Sequence, residues 1–132
     1  MLSIVIAATD SADAVARCVA SLGPGAGSSR VEVIVVGARD RLPAVDVPNW
    51  VHVLRAEPGA GVPRLRRLGL DGARAEVVAF TEDSGLLSPE WITAWLAAFQ
   101  DPTLWAATGP VEQDDRASWI DWAVFFCEYA PV

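Results

Sequence analysis

Two adjacent acids, Glu82 and Asp83, follow the short apolar run Glu76-Val77-Val78-Ala79-Phe80-Thr81. Carboxylates are hard oxygen ligands that suit Mg²⁺ or Mn²⁺, and one or two of them with substrate phosphates make a common Mg²⁺ arrangement. A cation held there would offset the charge of a diphosphate leaving group. On spacing alone the pair also reads as an acidic turn before a helix, with Asp83 capping. Arg64, Arg67, Asp71 and Arg74 share one helical face. Arg67 and Asp71 are four apart and Asp71 and Arg74 three apart, the pattern of a solvated, charge-paired surface. Arg66 lies off that face and stays a candidate for binding. His52 stands alone in a short strand and reads as packing or surface, not as a base. Cys18 and Cys127 are widely spaced, and Cys18 lies on an apolar helical stripe, so a buried free thiol is expected.

These residues need elements to position them. Leu2–Ala8 is an apolar, β-branched run that reads as a buried strand. Ser11 can cap a helix over 12–22, whose Val15, Cys18, Val19 and Leu22 form one stripe. The loop GPGAGSS follows. It has no Lys and comes after a helix, so it is not a phosphate-binding P-loop. Strands are expected at 31–36, 51–54 and 76–81, and a fifth at Trp105–Gly109. Pro63 suits the first turn of a helix running to about Ala73. Ser88-Pro89-Glu90 has the form of a helix start, and Ile92, Trp95, Leu96 and Phe99 supply its apolar stripe. Residues 116–129 read as a helix apolar almost all round. Strands alternating with helices predict an α/β fold, a mostly parallel sheet with helices on both faces. Ligands in such sheets bind beyond the carboxyl ends of the strands. Residues 7–10, 37–40 and 81–84 are therefore the places of interest.

The bulk composition narrows the function classes. The chain has 132 residues, of which 52% are hydrophobic, the size of one domain with a substantial core. Its net charge of −7 argues against a nucleic-acid partner. Its basic residues are all arginine, which with the abundant Ala and Gly fits a GC-rich genome better than a function. Neither a membrane span nor a signal peptide is evident, so a cytoplasmic location is expected.

The order of segments resembles the opening of a family-2 glycosyltransferase. Ser3-Ile4-Val5-Ile6, a capped helix and Glu32-Val33-Ile34-Val35-Val36 come first. The stretch from Gly61 to Leu70 is similar to that family's "ARNxG" helix, with Arg66 at the Arg and Gly69 at the Gly. The stretch Glu76 to Asp83 is similar to the strand that ends in its DxD-type motif. Ser88-Pro89-Glu90-Trp91 matches the "P-x-W" helix start, and Gly109-Pro110-Val111 the "GG-x-V" strand end. The resemblance covers nearly all of the chain. It implies a GT-A (Rossmann-like) fold and inverting transfer from a nucleotide-diphosphate sugar, with Mg²⁺ or Mn²⁺ as cofactor. Asp83 would be the metal ligand and Glu82 would face the ribose or donor sugar. Ala7, Ala8, Thr9 and Asp10 would line the base, and Arg66 would lie near the diphosphate or base. Gly37 stands at the end of the second strand, beside the nucleotide. The acceptor, a sugar or a lipid-linked group, would be the only route to a membrane.

Several positions depart from the pattern. The first strand usually ends in Pro-Thr/Ala-Tyr/Phe-Asn, and here it is Ala7-Ala8-Thr9-Asp10. The second usually ends in aspartates, and here it is Gly37-Ala38, with Asp40 close by. Arg67 replaces the usual Asn, and Ser84 replaces the last acid of the motif. The family's carboxylate base lies well downstream of the metal motif, where this chain soon stops. Glu112, Asp114, Asp115, Asp121 and Glu128 sit in no recognisable motif, so the catalytic base is unassigned. A single nucleotide-sugar-binding domain over 1–132, truncated at its C-terminus, is expected. The alternative is a degenerate or truncated GT-A domain acting as a non-catalytic binding or assembly module. Residues 116–132 would then join copies of the chain. A nicotinamide-binding Rossmann domain is disfavoured because no GxGxxG follows the first strand.

Overall fold

Four apolar runs pair as parallel strands: β1 (Leu2–Ala8), β2 (Val31–Ala38), β3 (Val51–Ala56) and β4 (Val77–Glu82), in the order β3-β2-β1-β4. The computed structural model describes residues 1–42, 45–113 and 117–129. It divides the chain into two units, Met1–Asp101 and Pro102–Val132. β1 is buried along its whole length, as its unbroken apolar run requires of a strand covered on both faces. Four of the five expected strands are present, with β2 and β3 each reaching two residues further.

Side chains alternate across the sheet. One face carries Leu2, Ile4, Ile6, Val33, Val35 and Ala79, packed with Val15, Cys18 and Val19 of α1 (Ala12–Ser21) and Ile92 of α3 (Trp91–Ala98). The other carries Val5, Ala7, Ile34 and Val36 against Leu65 of α2 (Val62–Gly72). Gly69 sets the spacing on this second face. A Cβ there would collide with Val5 Cγ1 and lie 3.2 Å from Val36 Cγ2, so only glycine lets α2 sit this close.

The helix starts follow local chemistry. The Ser11 hydroxyl accepts from Ala14 N–H at 3.2 Å and caps α1. Pro63 stands in the first turn of α2. α3 begins at Trp91, later than Ser88 suggests. Its N-cap is Glu90, without a side-chain bond, and Ser88 contributes only its carbonyl, to Trp91 N–H at 3.0 Å. The supposed flexible loop after α1 holds a single 3₁₀ turn, Pro24–Gly27, pinned by buried Ala26.

In the second unit, residues 104–113 form no strand, contrary to the fifth strand expected at Trp105–Gly109. A strand exists only through a ladder, and these residues make none. Trp105 is 95% exposed. α4 spans Trp119–Tyr129 and starts with a capping box. Ser118 Oγ accepts from Asp121 N–H at 3.3 Å, and Asp121 Oδ2 accepts from Ser118 N–H at 2.7 Å. That box fixes the start at 119, while residue 116 of the expected helix lies outside the described set. Trp119, Ile120, Val124 and Phe126 are exposed.

Candidate functional site

The carboxyl edge of the sheet holds the candidate residues. Ala7 lies opposite Glu82 in the β1–β4 register, so both strands run out at the same level. Asp83 follows and its carboxylate turns toward the β1–α1 turn. Oδ2 accepts from Thr9 N–H at 3.0 Å and from Asp10 N–H at 2.9 Å, and Oδ1 from the Thr9 hydroxyl at 3.4 Å. Asp83 is only 2% exposed. Two successive N–H groups just ahead of a helix N-terminus form a nest that attracts anions, and in dinucleotide-binding folds a phosphate lies at this turn. Here a side-chain carboxylate fills it. A phosphate at the β1–α1 turn is thereby blocked, which weighs against a Rossmann dinucleotide site by geometry as well as by motif.

Glu82, the last residue of β4, reaches toward α2 instead. Its Oε1 lies 3.1 Å from Arg66 Nη2 on α2, and both side chains are about half exposed. Arg66 thus leaves the Arg67–Asp71 surface pair, as expected, and meets the acid motif. Its Nε is buried without a hydrogen-bond partner, as is Nη1 of Arg55, which lies opposite Gly37 in the β2–β3 register. Thiol chemistry is absent from this edge. Cys18 is fully buried, its Sγ donates to the Glu82 carbonyl at 3.5 Å, and burial, with Asp83 nearby, pushes its pKa up to about 11.

Not all candidates offer a side chain to a ligand. Ala7 and Ala8 are buried. Thr9 is half-buried and Asp10 exposed, so the turn itself is the accessible part of that segment. Gly37 is buried beneath Leu42: a Cβ at Gly37 would lie 2.5 Å from Leu42 Cδ2 and 2.7 Å from its Cβ. Leu42, overlooked in the sequence, covers the position where an aspartate would hold a nucleotide. Asp40 does not take over that role. Both its oxygens accept from Gly59 N–H, at 3.1 and 3.2 Å, and tie the β2 end to the loop before α2. Gly59 has φ +77°, so glycine suits that loop.

The divalent cation implied by the acid pair does not fit these residues. Glu82 is paired with Arg66, while Asp83 is bonded to the β1–α1 turn, so the two acids serve different partners. The Asp83 carboxylate is buried and already bonded, which leaves no room for the waters a Mg²⁺ ion normally keeps. Among the described residues no three His, Cys, Asp or Glu side chains are placed to share a metal.

The opposite, amino edge of the sheet carries a second polar cluster that sequence reasoning did not single out. Glu32, 7% exposed, accepts from Ser3 Oγ at 2.7 Å, Arg74 N–H at 2.9 Å and Arg74 Nε at 2.7 Å. Arg74 Nη2 also lies 3.1 Å from His52 Nε2. Arg74 therefore pairs across the sheet with Glu32, not along its helix with Asp71. Burial pushes the Glu32 carboxyl up, but the hydrogen bonds from Ser3 and Arg74 outweigh it and leave the group below its usual range. An acid within the apolar run Val31–Val36 is the signal that could have revealed this cluster. A cleft of about 240 Å³ opens beside it, lined by Glu32, His52 and Arg74 with Ile34, Leu54 and Gly72. Its charged groups are bonded to one another.

No protein-family model matches the chain. No curated protein matches it. Among solved structures it is similar to the crystal structure of S. aureus TarS, residues 1–349, with a TM-score of 0.54 and 22% identity. The match covers 77% of this chain and 33% of that one, so the chain spans about a third of the length of TarS in that structure. At that identity the likeness is one of fold. The parallel four-stranded sheet, its helices and this likeness together give the chain a glycosyltransferase-like α/β fold of the GT-A type.

Proposed function

We propose that this chain is the donor-binding part of a glycosyltransferase and takes a nucleotide-diphosphate sugar at the carboxyl edge of its sheet. One observation carries the proposal: the Asp83 carboxylate bonds Thr9 and Asp10, joining the acid motif to the β1–α1 turn at the edge where such sheets bind ligands. The similar structure, TarS, is a family-2 glycosyltransferase, which supports the same direction. Asp10 and the accessible turn would meet the nucleotide. Arg66 would sit beside the diphosphate, and Glu82, released from Arg66, would face the ribose or sugar. Transfer with inversion needs a base and an acceptor site, and no residue here is assigned to either. The test is calorimetric titration with UDP, GDP and their sugar conjugates. Binding of one nucleotide with a Kd at or below about 1 mM, weakened by Asp10→Ala or Arg66→Gln, is expected. No heat from any of them would remove the donor-binding reading.

A second reading has its own observation. Leu42 closes the β2 end, where a nucleotide would be gripped. With the apolar surface of α4 exposed, this favours a degenerate domain that serves in assembly. Under it the chain self-associates through residues 116–132 and binds no nucleotide, which light scattering and the same titration would reveal together.

A further inference from the structure

Building on the donor-binding reading, we infer that Asp83 is a clamp for the β1–α1 turn and not a cation ligand, so this site engages donor phosphates without a divalent metal. Three features lead there. First, the two oxygens of Asp83 are engaged by donors from residues 9 and 10, at 2.9 to 3.4 Å, within a buried environment. A cation would have to compete with the two backbone N–H groups that already donate to Oδ2. Second, Glu82 is matched by a guanidinium, so the second acid cannot complete a ligand set. Third, the positive charge a diphosphate needs is already present. Arg66 stands next to the motif, and its fork of N–H donors suits phosphate oxygens. Exchange of Glu82 for phosphate leaves the guanidinium paired throughout.

The role of Asp83 is thus positional. It sets the path of Thr9 and Asp10, whose backbone forms the floor of the edge, and it holds the start of α1. Asparagine keeps one carbonyl oxygen that can accept from both N–H groups but carries no charge. Asp83→Asn should therefore preserve the turn while abolishing any cation site. Glu82→Gln, at an exposed position, removes the other acid with little risk to folding.

The experiment measures UDP and GDP affinity by calorimetry in EDTA, in Mg²⁺ and in Mn²⁺, for the unmodified chain, Asp83→Asn and Glu82→Gln. In parallel, Mn²⁺ alone is titrated and followed by electron paramagnetic resonance. Affinities within threefold across the three conditions, and no Mn²⁺ site tighter than about 1 mM that depends on residue 83, are expected. A tenfold or larger gain with Mn²⁺ that disappears in Asp83→Asn would overturn the inference while leaving donor binding intact. If neither nucleotide binds under any condition, the donor-binding reading falls. The Mn²⁺ titration then decides the clamp by itself: a stoichiometric site lost in Asp83→Asn refutes it, and no such site upholds it.

Discussion

Two buried carboxylates stand at opposite ends of the same sheet, and they are held in different ways. Glu32, at the amino edge, is bonded by a hydroxyl, a backbone N–H and a guanidinium. Asp83, at the carboxyl edge, is bonded by uncharged donors alone, from Thr9 and Asp10. Glu32 therefore belongs to a closed network whose charges cancel and which faces no ligand. Asp83 ties down a turn that is itself half open to solvent. One end of the sheet is built to stay put, and the other is built to hold a surface ready. Burial of an acid is thus a poor guide to function until its donors are known.

The largest expected effect comes from breaking the closed network. Glu32→Ala strands the buried Ser3 hydroxyl and Arg74 N–H at the amino edge of the sheet, and should cost about 3 kcal/mol of stability in urea unfolding. The exposed Arg74 side chain regains water, which keeps the figure from rising higher. The same group has a pH signature. Its carboxyl titrates lower in the folded chain than in the unfolded one. Its contribution is therefore fully present above the unfolded value near 4.5 and fades as pH falls through the lower folded value. Glu32→Gln should flatten the part of the stability profile that lies below the unfolded value near 4.5. An unchanged acid limb would show that the network does not hold Glu32 ionised.

Asp83→Ala should cost less, about 2 kcal/mol, because the freed N–H groups of Thr9 and Asp10 lie beside solvent. Asp83→Asn should cost about half of that. If Asp83→Ala proved more damaging than Glu32→Ala, the contrast between a closed network and an open turn would be wrong.

The smallest effect concerns thiols. Cys18 lies buried beneath the acid motif with its pKa pushed up to about 11, whereas Cys127 on α4 is exposed. At pH 8 the native chain should react with a disulfide reagent at Cys127 within minutes and at Cys18 only on unfolding. Fast labelling of Cys18 would mean that α1 opens readily and that the Asp83 clamp beside it is loose.

Much of the fold was legible because β1 to β4 are short segments rich in apolar and β-branched residues and α1 and α2 carry clear stripes. The fifth strand failed because Trp105–Gly109 has strand-like residues but no ladder, and composition cannot supply a partner. α3 starts three residues after Ser88 because capping is decided by backbone geometry, which Ser-Pro-Glu only suggests. The site was partly legible. Thr9, Asp10, Glu82, Arg66 and Asp83 do meet at one edge, as their positions at strand ends implied. What could not be read was direction. Glu82 and Asp83 look like one chelating pair in sequence, yet Glu82 meets Arg66 and Asp83 meets the β1–α1 turn. Leu42 drew no reading from the sequence, and only the missing side chain of Gly37 makes room for it.

The central claim is that the carboxyl edge is the ligand edge. The direct measurement is a ¹H–¹⁵N correlation spectrum of the chain titrated with UDP and with GDP in the presence of Mg²⁺. With one of the two, shifts should cluster at the amides of Thr9, Asp10 and residues 82–85 and at the Arg66 side chain. The amides of Ser3, Glu32 and Ala75 should stay in place. Shifts confined to the amino edge, or none with either nucleotide, would contradict the account.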